Sequence, residues 1–222
     1  IPLGYSNVGE IIAKGENVSE YKVGDRVVSN GPHAEYVIVN KNLCAKIPNE
    51  VSDEEASFVV LSSIGLQGIR LANPTLGETF VVCGLGLIGL LTAQLLKANG
   101  CNVLGLDLNS QRILIAQSLG INSLHFNNDK EAISWCKEIT NNVGVDGFLI
   151  TSATSSNSPI DIASQTCRQR GRIILIGTSG ININRDHFYK KELTFKVSCS
   201  YGPGRYDPIY EEKGVDYPFG FV

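Results

Sequence analysis

Four nearly unbroken apolar runs limit what this chain can become. Phe80-Val81-Val82-Cys83, Val103-Leu104-Gly105-Leu106-Asp107, Gly147-Phe148-Leu149-Ile150-Thr151 and Arg172-Ile173-Ile174-Leu175-Ile176-Gly177 lack the alternation of a strand with one wet face. Segments of helical pattern separate them, two ending at Asn99-Gly100 and Leu119-Gly120, where glycine stops a helix. Strands buried on both faces, each followed by a helix, pair in parallel through right-handed crossovers. The expected fold is therefore α/β, a doubly wound parallel Rossmann sheet. Strands are expected near 79–83, 102–107, 123–126, 146–151, 172–177 and 193–199, and helices near 87–98, 110–119, 129–140 and 158–169.

The chain before this alternation reads differently. Residues 1 to about 50 hold short apolar runs between glycines, GEIIAKG and GDRVVSN, and an alternating stretch, AEYVIVN, that predicts a strand. That is too little sheet to stand alone. Ser52 with Glu55 makes a capping-box pattern opening a helix over about 53–60, and a second helix over 64–72 stops before Asn73-Pro74. Three domains are expected: 1–50, 51–200 for the dinucleotide domain with its leading helices, and a terminal segment over 201–222.

Between the first buried strand and its helix lies Gly84-x-Gly86-x-x-Gly89, and the second strand ends in Asp107. Glycines at this spacing are weak evidence alone, but strand, helix and acid in these places complete the dinucleotide fingerprint. Gly84 permits the tight turn, Gly86 lets backbone approach a pyrophosphate, and Gly89 lets the helix press on the strand. Leu87 and Ile88 then present first-turn amides to the phosphates. Asp107 favours the ribose hydroxyls of NAD and meets the 2′-phosphate of NADP with like charge. Arg112 either packs over the adenine or faces solvent. Thr151, Ser152, Gly177 and Thr178 close two later strands, where a nicotinamide ring would lie in this topology; ordinary loop polarity is the alternative for the hydroxyls.

A net charge of -3, from 19 basic and 22 acidic residues, gives no electrostatic case for nucleic acid or an acidic membrane surface. No apolar run is long enough to span a bilayer. The six cysteines show no paired-ligand spacing, which fits a reducing, cytoplasmic setting. The chain starts Ile1-Pro2 and contains no methionine, which suggests a piece of something longer.

Read together, GYSNVGEI, VGDRVV, AEYVIV, LQGIRLANPTLGETFVV, the fingerprint and DLNSQRILIAQSLG resemble the medium-chain dehydrogenase/reductase family over almost the whole chain. The resemblance implies that residues 1–50 are the rear part of a GroES-like β domain. GPHAEYV and SCSYGPGRYDPIYEEKGVDYPFGFV are similar to a bacterial bi-domain "zinc-binding-type" subgroup, in which a glucose–fructose-oxidoreductase-like half follows in longer chains. It also implies a homodimer paired through the edge strand near 193–199.

Departures from the family pattern matter for metal. Where zinc members carry Gly-His-Glu, this chain has Gly4-Tyr5-Ser6, and Ser63 stands near a cysteine-ligand position. Tyrosine and serine hydroxyls are not normal zinc ligands, so no metal is expected. Tyr5 and Ser63 are attractive proton handlers, yet neither has a visible base beside it; lining or filling the cleft is the simpler role. His33, His125 and His187 read as turn, core or surface residues, Gln67 as a possible neighbour of the cofactor, and the catalytic group is not identified. The function expected is hydride transfer between NAD(H) and an alcohol or carbonyl of a small, sugar-like substrate. The alternative is a non-catalytic NAD-binding module supporting a partner oxidoreductase domain.

Overall fold

The computed structural model describes residues 4–202 and 204–215. The chain forms two units, one from Ile1–Ser63 with Tyr201–Val222, the other from Ile64–Ser200. In the first, β1 (Asn7–Glu10), β2 (Arg26–Ser29) and β3 (Cys44–Lys46) pair antiparallel in that order. Val28, Ile47, Ala56 and Val60 form its small core. The capping box is present: Ser52 Oγ accepts from Glu55 N and the Glu55 carboxylate accepts from Ser52 N, opening α1 (Asp53–Ala56). That helix is shorter than expected, and α2 (Val59–Ala72) begins earlier. AEYVIVN is not a strand. β2 already has a partner on each side, and nothing among the described residues pairs with 34–40, leaving Tyr36 72% and Ile38 102% exposed. Alternation fits a residue to a sheet surface, but a strand exists only where another backbone answers its N–H and C=O groups.

The second unit contains the buried runs. β4 (Thr79–Cys83), α3 (Leu87–Ala98), β5 (Asn102–Asp107), α4 (Ser110–Ser118), β6 (Asn122–His125), α5 (Asp129–Ile139), β7 (Val145–Ile150), α6 (Ser158–Thr166), β8 (Cys167–Leu175), α7 (Arg185–Lys191) and β9 (Thr194–Val197) follow in sequence. The six strands form one parallel sheet in the order β6-β5-β4-β7-β8-β9, the Rossmann order with its reversal between β4 and β7. Along β4, Val81 and Cys83 join one apolar cluster with residues of α5 and α6, while Phe80 and Val82 join another with α2, α3 and α4. Successive strand side chains point to opposite faces, so the two clusters are the two covered sides of the sheet.

Two differences from the sequence expectation have local causes. α6 stops at Thr166 because Cys167 already pairs with Val145, after which the register shifts and Arg170 takes a left-handed φ of 59°. α7 was not expected; the Asn184 side chain accepts from Asp186 N and His187 N to start it, and Glu192 at φ 48° ends it. At the N-terminal ends of the strands, Arg172 Nη2 lies 2.5 Å from Glu78 Oε1 and its Nη1 donates to the carbonyls of Ala72 and Asn73. Arg168 Nε donates to Asp146 Oδ1 at 2.6 Å, and Asp146 Oδ2 accepts from Thr79 N. This network ties the start of β4 to those of β7 and β8.

After Ser200 the chain belongs to the first unit again, with Asp207 capping the short α8 (Pro208–Glu211).

Candidate functional site

Gly84, Gly86 and Gly89 sit where β4 gives way to α3, and each is glycine for a different reason. Gly84 has φ 99°, and a Cβ there would stand 2.5 Å from Ser152 N. A Cβ on Gly89 would stand 1.9 Å from Gly84 O and 2.9 Å from Thr151 Oγ1. Gly86 is the opposite case: its φ of -68° suits any residue, and a Cβ would meet nothing within 4 Å. Neither fold nor packing requires glycine there, and bare backbone faces open space. Gly86 caps α3 without a side-chain hydrogen bond, so the first-turn amides of Leu87 and Ile88 receive no cap acceptor. Leu87 is half exposed.

Asp107, at the end of β5, is only 6% exposed. Its Oδ2 accepts from Leu85 N at 2.6 Å and its Oδ1 from Asn109 N at 2.8 Å, so the carboxylate braces the glycine turn as well as its own loop. Arg112, half exposed on α4, brings Nη1 to 3.5 Å from Asp107 Oδ2. The Asn109 side chain accepts from Gln111 N and Arg112 N and starts that helix; the sequence reading had not singled it out.

The loops after β7 and β8 are laced to each other and to β4. Thr151 Oγ1 donates to Gly84 O at 2.5 Å, and Ser152 N donates to Cys83 O. Gly177 N donates to Ile150 O, and a Cβ on Gly177 would lie 2.2 Å from Ser152 O. Thr178 N donates to Ser152 O, while Thr178 O accepts from Thr154 N. Ser152 Oγ is shielded from solvent and has no hydrogen-bond partner in the protein. All eleven residues expected at a dinucleotide site therefore lie in one unit, at the C-terminal ends of β4, β5, β7 and β8 or in the first turns of α3 and α4. An uncapped helix N-terminus, an open backbone at Gly86 and an orphaned hydroxyl at Ser152 suit a phosphate-bearing nucleotide.

Of the remaining candidates, Tyr5, His33 and Ser63 belong to the first unit and Gln67, His125 and His187 to the second. Ser63 Oγ donates to Val60 O at 2.6 Å in its own helix, and Tyr5 is half exposed. His33 lies against Gly4, His125 Nε2 is 3.1 Å from Leu108 O, and His187 Nδ1 is 3.1 Å from Ser164 Oγ. Gln67 is buried in α2. Among the described residues no three His, Cys, Asp or Glu side chains gather as a metal would need. The donors that the family resemblance puts at zinc-ligand positions, a tyrosine and a serine turned into its own helix, do not fit zinc. No helix among the described residues is long and apolar enough to cross a membrane.

With this geometry in view, the likeness to known proteins is informative. A family model described as zinc-binding dehydrogenase matches residues 88–212. D-guloside 3-dehydrogenase of Escherichia coli (strain K12) is 32% identical over 230 residues, covering 97% of this chain and 61% of that protein. (R,R)-butanediol dehydrogenase of Bacillus subtilis (strain 168) is 28% identical over 229 residues, covering 90% of this chain and 66% of that protein. The crystal structure of 2R,3R-butanediol dehydrogenase from Bacillus subtilis superposes with a TM-score of 0.77 at 26% identity, over 89% of this chain and 65% of that one. The chain spans less than two thirds of the length of these relatives. The matched family segment is more than half of the chain, and the chain belongs to the zinc-binding dehydrogenase family.

Proposed function

We propose that the chain carries the coenzyme domain of an NAD-dependent medium-chain dehydrogenase/reductase. It acts on an alcohol or carbonyl of a small polyhydroxylated substrate, without catalytic zinc. The observation that carries the reading is the bare backbone of Gly86, facing open space at the point where the sheet order reverses. The amides of Leu87 and Ile88 and the turn between Gly84 and Gly89 would hold the pyrophosphate. Asp107 would hold the adenosine ribose, with Arg112 beside it. Ser152, Gly177 and Thr178 would bound the nicotinamide end, where the Ser152 hydroxyl is still unpartnered. Thr151 acts on the site through the turn, since its hydroxyl already serves Gly84 O. When bound, nicotinamide supplies the hydride acceptor or donor.

The names of the relatives, a guloside dehydrogenase and a butanediol dehydrogenase, support a hydroxylated substrate. A buried carboxylate at the ribose position supports NAD over NADP. β9, the edge strand beside β8, supports pairing with a second copy.

The test is binding of both coenzymes to Asp107→Ala, followed by fluorescence of the reduced forms. NADH affinity is expected to fall about 10- to 100-fold, the scale of one or two lost charge-assisted hydrogen bonds, and NADPH affinity less. Equal losses would show that Asp107 acts only as a brace of the turn. Tight NADH binding with no turnover across alcohols, polyols and glycosides would favour the non-catalytic module.

A further inference from the structure

Among the described residues, two buried side-chain polar atoms have no hydrogen-bond partner, Ser152 Oγ and Ser198 Oγ. A buried hydroxyl is seldom left so, because losing water without gaining a partner opposes folding. The two are not scattered. Ile150, Leu175 and Val197 form one row across β7, β8 and β9. Ser152 stands two residues past this row on the chain leaving β7, and Ser198 one residue past it on the chain leaving β9. Ser198 N donates to Leu175 O, so the ladder still holds that residue in line, and it is 8% exposed. Between them, on the chain leaving β8, is Gly177, whose N–H donates to Ile150 O. All three belong to the second unit. The sequence reading placed Ser198 in the edge strand and gave it no role.

The spacing limits what can lie between the two hydroxyls. Neighbouring strands are about 4.8 Å apart, which sets the backbones of β7 and β9 about 9–10 Å apart. A primary carboxamide has its oxygen and nitrogen about 2.3 Å apart. A hydrogen bond of about 2.9 Å at each end brings two hydroxyl oxygens within about 8 Å of each other. The remaining difference is within the reach of two serine side chains. The chemistry matches as well: the amide nitrogen donates, its oxygen accepts, and a serine hydroxyl can do either. Resting on the dinucleotide reading above, we infer that Ser152 and Ser198 hold the carboxamide of nicotinamide between them, over Gly177, which makes Ser198 a coenzyme-positioning residue. One hydroxyl accepts from the amide N–H and the other donates to the amide oxygen. By fixing the carboxamide the serines stop the ring from turning about its bond to ribose, so a single ring face is offered for hydride exchange. Without coenzyme, both hydroxyls are a burden on the fold that binding relieves.

The experiment is titration of the intact protein with three probes. They are NADH, ADP-ribose, which lacks the nicotinamide ring, and reduced 3-acetylpyridine adenine dinucleotide, in which a methyl group replaces the amide NH₂. Ser198→Ala is expected to weaken NADH binding about 5- to 30-fold, the scale of one buried hydrogen bond, and to leave ADP-ribose affinity within about twofold. Its melting temperature without coenzyme should equal or exceed that of wild type, because the hydroxyl it loses had no partner. Ser152→Ala should behave alike. With the acetylpyridine analogue, the serine that accepts from the amide N–H should lose its effect, and the serine that donates should keep it. NADH affinity within about twofold of wild type in Ser198→Ala overturns the inference and leaves that hydroxyl to a trapped water. Equal losses for NADH and ADP-ribose overturn it too, by making the serine a support of the fold. Should Ser198→Ala fail to fold, wild type that binds the acetylpyridine analogue as tightly as NADH overturns it equally. Wild type that binds neither NADH nor ADP-ribose overturns the dinucleotide reading itself, so the two failures are told apart.

Discussion

At the scale of single residues, the three glycines of the turn divide into two kinds. Gly84 and Gly89 are demanded by the fold, because a Cβ at either would enter backbone atoms at 2.5 and 1.9 Å. Gly86 is demanded by nothing in the protein. Gly89→Ala should therefore lose about 1–3 kcal/mol or more of stability, read by urea denaturation, because the helix must move off the strand. Gly86→Ala should melt at the same temperature as wild type or slightly higher, gaining up to about 1 kcal/mol through its stiffer unfolded chain. It should nevertheless bind NADH at least tenfold more weakly, as measured by titration; unchanged affinity would remove the pyrophosphate from that spot. The glycine spacing and Asp107 were legible in the sequence because their reasons are local: a turn, a close approach and a strand end. Tyr201 was not legible as a partner of Asn30, since 171 residues separate them and nothing in either neighbourhood announces the other. Asp107 was legible as the acid that ends the second buried strand but not as the acceptor for Leu85 N, a bond that exists only once β4 and β5 lie side by side.

At the scale of elements, the two ends of the sheet have different work. The C-terminal ends carry the turn and the laced loops. The N-terminal ends carry the Arg172–Glu78 and Arg168–Asp146 pairs, with Arg172 and Glu78 20% and 15% exposed. Arg172→Ala leaves Glu78 poorly solvated and two carbonyls without a donor. It should cost about 2–4 kcal/mol, seen as a lower urea midpoint, while NADH affinity stays within twofold of wild type, because nothing at the opposite strand ends has changed. A loss of NADH affinity without loss of stability would contradict this division. The element scale also shows where pattern reading stops. Buried runs specified β4, β5, β7 and the second half of β8, because burial on both faces leaves few alternatives. AEYVIVN carried an equally good pattern, but a pattern describes only one side of a pair, and the other backbone was not there to meet it.

At the scale of the whole molecule, the cysteines report on both units at once. Burial pushes the thiols of Cys83, Cys136 and Cys167 up to about 12, and that of Cys101 upward as well. Cys44 is partly exposed and Cys199 exposed. Iodoacetamide attacks the thiolate, so at pH 8 the folded protein should be alkylated at Cys44 and Cys199 only, as read by peptide mass spectrometry. Raising the pH to 10 should add none of Cys83, Cys136 and Cys167, since their thiols remain protonated and covered. With increasing urea, Cys83, Cys136 and Cys167 should become reactive together, because they share one apolar cluster. Labelling of Cys83 alone in water would mean that β4 opens independently. The route of the chain has a consequence for synthesis. The second unit is one continuous stretch, whereas the first is assembled from Ile1–Ser63 and a stretch that starts at Tyr201. On the ribosome the coenzyme domain has all its parts as soon as β9 emerges, and domains fold as units when their parts are present. Residues before Ser63 must wait through the making of an entire sheet for the stretch from Tyr201 that completes their unit, so the first unit would mature after the sheet that interrupts it.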